Sequence, residues 1–394
     1  MPVGAFRSAE RRTGVLTPRR AEYRGRAGST WVDVISDVVE LAGLTSRWQQ
    51  LVWNSGAATA FATPAAVLTW YRHVARHSSV YAVTVWRGDE LVGLAPFSLT
   101  RLGGFRLLST AGAGFGYVGE PLLGADPESV AVALADHLSR LVSSGAAAVY
   151  LRRLDSAGTM VTVLSRRSDL TCHPMGPDEA SCVVRFDQMP DPEQYFTRAA
   201  RKHAIGRRTR RLGERFDHVE YVVDDPEPDL ALDTMRDMLR RRFDSDLRIF
   251  STAQNRALTR DLVHELISAG HARVSSMIAD GRRITVAVDF HVRPRVLGYA
   301  VAYEPDLAQF GLGHLELYQA LRTAHADGTV EVDLGSAGFS YKRSWASTLT
   351  HQRTLAITAP GWRGTLANRV RRAAIHVHRA RPLDDVTGIG PHVV

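Results

Sequence analysis

The sequence predicts an α/β (α+β) chain made of two similar units in tandem, each a mixed, mostly antiparallel sheet flanked by helices. Three observations carry this reading. A strand, two helices, a three-strand meander, a loop, a helix and a closing strand run from Trp31 to Leu151, and the same order recurs from Glu220 to Leu334. Both meanders alternate apolar and polar residues around tight turns, at Arg87-Gly88-Asp89 and Asp280-Gly281. The helical segments place apolar residues three and four apart, as at Leu232, Met235, Met238 and Leu239.

Taken in order, residues 1–30 lack an apolar period, contain Pro, Gly and Ser, and read as a flexible tail. Trp31–Ile35 is a short strand. Asp37 opens a helical pattern through Leu41, Leu44, Trp48, Leu51 and Val52. Thr63-Pro64 supplies a cap and a first-turn proline for a helix through Ala75. Val80–Trp86, Glu90–Leu99 and Phe105–Ser109 form the first meander; a glycine-rich loop (111–119), a helix (Glu128–Val142) and a strand (Ala147–Leu151) follow. The turn-rich stretch Arg166–Glu179 reads as the linker.

The second unit opens with one helix over Pro192–Phe216 and a strand at Glu220–Val223. Helices at Asp229–Arg242 and Thr252–Ser268 follow. Ala272–Ala279, Arg283–Phe290 and Val296–Tyr303 make its meander, and a loop (Glu304–Gly313), a helix (His314–Ala326) and a strand (Val330–Leu334) close it. The expected organisation is therefore a disordered Arg-rich tail (1–30), a first domain (31–175), a second (180–358) and a basic extension (361–394).

Composition excludes several classes. The 394 residues are 45% hydrophobic and 23% charged, which is ordinary for a folded protein. No run approaches the ~18 apolar residues of a membrane span, and the first thirty residues show no secretory-type apolar core. Two cysteines, Cys172 and Cys182, are too few for a disulfide framework or a four-cysteine zinc site, and read as reduced thiols in a cytoplasmic protein. The net charge of +8 belongs to the ends. Residues 1–30 and 361–394 hold 13 of the 49 basic residues and four of the 41 acidic ones, leaving 36 against 37 between them. The Arg-rich ends suit an anionic membrane face or RNA. Of the basic residues, 47 are Arg and only Lys202 and Lys342 are Lys.

Several motifs fail in context. Gly114–Gly119 matches G-x-G-x-x-G, but Pro121 and Asp126-Pro127 break the strand-to-helix setting that a dinucleotide site needs. His73 and His77 stand i, i+4, yet Val74 replaces the Glu of H-E-x-x-H and no third ligand is evident, so both read as solvent-facing. Leu334-Gly335-Ser336-Ala337-Gly338 lacks the first glycine of a nucleophile elbow.

Three segments keep chemical promise. Arg198–Arg215 carries eight Arg or Lys and His203 against Glu214 alone; it fits a solvated helix face or contact with a phosphorylated ligand. The loop Glu304–Gly313 brings Gly311 and Gly313 to a helix start, where free amides and the helix dipole favour a pyrophosphate; a plain turn fits the same glycines. Asp333, Tyr341, Lys342 and Trp345 then gather after the closing strand, where such sheets bind ligands. An Asp333–Lys342 ion pair shaping a loop fits equally.

With these residues in view, the chain resembles the GNAT acyltransferase superfamily, in its duplicated cellulose-biosynthesis-type (CelD/BcsL) acetyltransferase branch, which is similar in turn to FemAB-type aminoacyltransferases. The likeness rests on Trp48, Phe61, Pro64 and Trp70; on Glu90–Phe97; on Arg201-Lys202-His203; and on Gly313 with Asp333-Leu-Gly…Tyr341-Lys342…Trp345. It spans roughly 35–358, and both lysines fall inside matched segments. The resemblance implies a GNAT fold in each half and direct attack of an amine or hydroxyl on acetyl-CoA or another acyl-CoA, without a metal.

It further implies that Gln309, Gly311, Leu312, Gly313 and His314 hold the pyrophosphate. The usual loop has Gln or Arg three residues before the first glycine, where this chain has Ala308. Proton handling falls to Asp333, Tyr303, Tyr341 or Lys342, with Glu304 behind them, and Lys342 could instead neutralise a phosphate or carboxylate. The first half, lacking the loop, would shape the acceptor side. The implied acceptor is a small amine, an amino sugar or a polysaccharide or cell-envelope precursor. The rival readings are a FemAB-like transferase using aminoacyl-tRNA and a catalytically silent GNAT-fold binding protein.

Overall fold

The computed structural model describes residues 21–369, except 26–27, 57, 75–78, 103, 113–118, 244–247, 362–363 and 366–368. The glycine motif centred on 114–118 and His77 lie outside the described residues, as do residues 1–20 and almost all of the basic extension.

Within the segment expected as a tail, β1 (Ala21–Gly25) pairs antiparallel with β2 (Gly28–Ile35) as the outermost strand. Asp37 caps α1 (Val38–Ala42), accepting from the Val39 and Glu40 amides at 2.8 and 2.9 Å. Next come α2 (Thr45–Asn54) and α3 (Pro64–Val74), then the meander β3 (Ser79–Arg87), β4 (Glu90–Leu102) and β5 (Phe105–Thr110). A short β6 (Leu122–Leu123) pairs with β4. Asp126 and Pro127 start α4 (Pro127–Val142), whose Val130, Leu134, Leu138 and Val142 are all buried. The first unit ends with β7 (Ala147–Asp155), α5 (Thr159–Ser165) and β8 (Thr171–Pro174).

The second unit starts with β9 (Glu179–Arg185), α6 (Pro192–Lys202), α7 (Ile205–Gly213), β10 (Val219–Val222), α8 (Pro228–Phe243) and α9 (Ala253–Ser268). The meander β11 (Ala272–Ala279), β12 (Arg282–Val292) and β13 (Arg295–Tyr303) follows. After it come α10 (Leu312–Ala326), β14 (Glu331–Ser336), α11 (Ser340–Trp345) and β15 (Thr348–Thr358).

The strands join into one sheet in the order β1-β2-β3-β4-β5-β7-β15-β9-β14-β13-β12-β11-β10, with β8 on β15. The α/β reading with two units of mostly antiparallel strands therefore holds, and the exchange at the centre is new. The end of β15 pairs with β7 and β8 in the first unit, while its start pairs with β9, which lies against β14 of the second. The stretch expected as a linker thus contains β8 and leads into β9, because strands from the far end of the chain complete its hydrogen bonding. No local pattern reports that pairing.

The expected single helix over 192–216 breaks at Ala204, which takes φ 51°. There the His203 carbonyl accepts from Arg208 Nε at 2.8 Å, and the chain turns into α7. Between the units, α3 packs on α9, and Phe61 meets Phe290 and Tyr299 edge-on at 5.3 and 5.8 Å. Arg72 pairs with Glu265 at 2.8 Å. His73, expected to face solvent, reaches Asp261 at 2.7 Å instead. Among the described residues no helix is long and apolar enough to cross a membrane, Cys172 and Cys182 are free, and no acid, His and Cys cluster could hold a metal.

Candidate active site

The site opens where a strand ladder ends. Parallel pairing of β13 with β14 runs from Arg295–Glu331 to Leu297–Asp333 and stops, although β13 continues to Tyr303 and β14 to Ser336. Across β13, the β12 ladder shifts register between Val288 and Asp289, where Asp289 faces Gly298. A cavity of about 400 Å³ occupies the opening on the α10 side. A cavity of the first unit, bounded by Phe97, Ala111, Leu151 and Leu154, holds only about 20 Å³.

One end of the cavity is cationic. A 3-10 turn (Pro305–Phe310) delivers the chain to Gly311, whose φ of 67° suits glycine, and α10 begins at Leu312. The first amides of α10 have no carbonyl of their own helix to bond, and the dipole makes this end positive. Arg208 closes on it from α7: a Cβ at Gly311 would fall 1.6 Å from Arg208 Nη1. This guanidinium lies beside the loop in which Ala308 offers no polar side chain. Arg242 lies over the Tyr303 ring at 4.5 Å, and Lys342 lines the wall beside Tyr341. Among the described residues Lys342 makes no ion pair; burial lowers its affinity for a proton, and Asp333 partly offsets this.

The other polar wall is acidic. Glu316, buried on α10, accepts from Tyr221 at 3.1 Å, from Ser275 at 3.4 Å and from Thr285. Loss of water pushes its carboxyl up to about 7, against the hydroxyls that favour the charged form. Asp289 is also pushed up to about 7 by enclosure. Between the polar walls, Ala287, Ala300, Leu317, Ala320 and Leu334 are aliphatic.

An aromatic stack holds the mouth in shape. His203 lies 4.1 Å from the fully buried Trp345 ring and 4.8 Å from His314. Trp345 Nε1 donates to His314 Nδ1 at 3.0 Å, which places the His314 proton on Nε2. Burial, with His203 and Arg208 nearby, pushes His314 down to about 4, so it is neutral near pH 7. Lys202 Nζ donates to the Ser344 carbonyl at 2.7 Å. Both lysines of the chain therefore bear on α11: Lys202 ties α6 to it, and Lys342, within it, lines the cavity.

Of the residues expected to act, the structure brings Tyr303, Gly311, Leu312, Gly313, His314, Tyr341 and Lys342 to this cavity. It leaves Gln309 exposed on the turn. Asp333 faces the other way: it lines a separate cavity of about 190 Å³ between the units and accepts from Ser181 at 2.5 Å and the Gly335 amide at 2.7 Å. Glu304 is held by Arg241 and Arg282 in a buried ion pair. Sequence reasoning singled out the Arg198–Arg215 run without naming Arg208, and missed Arg242, Asp289 and Glu316. The available signal was a single acid within an apolar run, as in Val286-Ala-Val-Asp289-Phe and Leu315-Glu316-Leu317.

Residues 199–343, which include most of the cavity wall, match the family model of the acetyltransferase (GNAT) domain. No curated protein matches the chain. Among solved structures, a crystal structure of FemX aligns with a TM-score of 0.60 at 10% identity, over 82% of this chain and 96% of that one. The C-terminal domain of a putative lysylphosphatidylglycerol synthetase from Agrobacterium fabrum aligns at 0.53 and 11% identity, over 86% and 97%. L-PGS from Bacillus licheniformis aligns at 0.50 and 10% identity, over 85% and 97%. At such identities the likeness is one of fold. The chain is an acyltransferase by class. More particularly, the match to the acetyltransferase (GNAT) domain model falls in its second unit.

Proposed function

We propose that the chain transfers an acyl group from an acyl-coenzyme A thioester, acetyl-CoA or a relative, to the nitrogen of an amine. The acceptor class is a small amine, an amino sugar or a polysaccharide or cell-envelope precursor, in line with the resemblance to the CelD/BcsL branch. One observation carries the reading: the β13–β14 ladder opens on a cavity whose mouth combines the α10 N-terminus with Arg208 and Arg242. That combination suits a pyrophosphate. Gly311 and Gly313 leave the backbone bare where the phosphates would approach.

In the reaction the amine lone pair attacks the thioester carbonyl carbon. The C–N bond forms, the C–S bond breaks, and the sulfur leaves as a thiolate that takes up a proton. Lys342, free of ion pairs among the described residues, supplies positive charge to the carbonyl oxygen as it becomes an oxyanion. The half-buried Tyr341 hydroxyl, held protonated by desolvation, is a proton source for the thiolate. The attacking amine loses its proton to water or to a carboxylate of the inner wall.

A second reading, an aminoacyl-tRNA donor, is favoured by Arg207, Arg210 and Arg211, which are exposed on α7 beside the mouth. The two part in a thiol-release assay with acetyl-CoA and an amine panel, run beside transfer from charged tRNA at low and moderate salt. Thiol release that saturates with acetyl-CoA and ignores tRNA is expected. Transfer that needs tRNA and falls steeply with salt establishes the second reading. Activity with neither donor overturns both.

A further inference from the structure

We propose that the acidic wall of the cavity recognises a primary ammonium group on an aliphatic stem, held between the Asp289 and Glu316 carboxylates. The inference rests on the transfer reading above, since the ammonium would belong to one of the two reactants.

Asp289 is half-buried, lines the cavity, and has neither a hydrogen bond nor an ion pair to its side chain among the described residues. The cation that acts on it, Arg273, is already bonded to Asp224 at 3.1 Å and Asp327 at 2.8 Å. Glu316 has donors, but all are neutral hydroxyls, from Tyr221, Ser275 and Thr285. Of the other acids set inside the second unit, Asp333 is held by Ser181 and the Gly335 amide alone, whereas two carry counter-ions. Asp225 is paired with Arg283 at 2.7 Å, and Glu304 with Arg241 and Arg282. A chain with 47 arginines had cations to spare for these two carboxyls. It keeps them without a counter-ion, at the wall of a cavity wide enough for a ligand.

Desolvation raises both carboxyls, and the nearby Asp289 raises Glu316 further. An entering ammonium reverses that penalty by supplying the missing positive charge and three donors. The hydroxyls around Glu316 fix its carboxyl before the ligand arrives. Ala287, Ala300, Leu317 and Ala320 offer an apolar lining for the stem. The ammonium has two possible sources: the amine acceptor, or an amino group at the end of the donor's acyl chain.

Calorimetric titration at pH 8 with two matched pairs tests this on the full chain. The donor pair is β-alanyl-CoA against butyryl-CoA; the acceptor pair is butylamine against butanol, each measured with and without coenzyme A. A preference of about tenfold for the ammonium member is expected in one pair, about 1.4 kcal/mol, and that pair names the source. Asp289→Asn and Glu316→Gln should each reduce the preference to less than about threefold while coenzyme A binds as before. Equal binding within both pairs overturns the proposal, as does a preference that survives both substitutions. If coenzyme A fails to bind while butylamine is still preferred, the donor reading falls and the ammonium site stands.

Discussion

Lys342→Met should lower kcat/KM for acyl transfer by about 10²–10³-fold, the scale of losing one preorganised oxyanion partner. The same substitution should raise the melting temperature at pH 7. Lys342 is half-buried without an ion pair among the described residues, and desolvation depresses its proton affinity in the folded state below the ordinary 10.5. Its charge therefore opposes folding at neutral pH. That penalty fades as pH climbs through the folded value towards 10.5, where the unfolded chain also gives up the proton. The stability advantage of the variant should narrow over that window. Thiol-release kinetics and melts at pH 7 and pH 10 check both halves, and full activity in the variant would remove Lys342 from the mechanism.

Trp345→Ala should cost about 3–5 kcal/mol of folding free energy, among the largest effects available to one substitution. The ring is 1% exposed, stacks on His203 and bonds His314, and its backbone carbonyl accepts from Tyr195 at 2.8 Å. Its loss leaves a void between α6, α10 and α11, the three helices that frame the mouth. Trp345→Phe keeps most of the packing and loses the indole N–H bond, so a smaller cost, about 1 kcal/mol, is expected. Urea unfolding of both variants gives the comparison. Equal costs would mean that the bond to His314, rather than the packed ring, holds this region.

Elements with a strong local period were legible in the sequence: α3, α4, α8, α9 and both meanders lie within a few residues of their expected bounds. The centre of the sheet was not. β8, β9 and β15 are strands because each completes another's hydrogen bonding across more than a hundred residues of chain, and only the folded topology shows it. The break at Ala204 depends on the Arg208 side chain taking the His203 carbonyl, which periodicity does not report.

At the site, the glycines and the Tyr341-Lys342 pair were legible because backbone freedom and isolated lysines stand out in this composition. Asp333 falls off this cavity by one step of strand parity: its neighbour Leu334 faces the cavity, and alternation turns the carboxylate to the opposite side. Asp289 and Glu316 were passed over because a single acid on an alternating strand or an amphipathic helix ordinarily faces water. Here each element covers the other's polar face.

The central claim is that the N-terminus of α10 holds the pyrophosphate of a coenzyme A thioester. Calorimetric titration with acetyl-CoA, for the wild type and for Gly313→Glu, tests it most directly. A Cβ at Gly313 meets nothing closer than Tyr303 Cε1 at 3.7 Å, so the substitution places a carboxylate at the mouth without disturbing the backbone. The account predicts saturable binding by the wild type and a loss of about a hundredfold, some 2.7 kcal/mol, in the variant. Equal binding by the two proteins, or no heat from the wild type at millimolar acetyl-CoA, would contradict it.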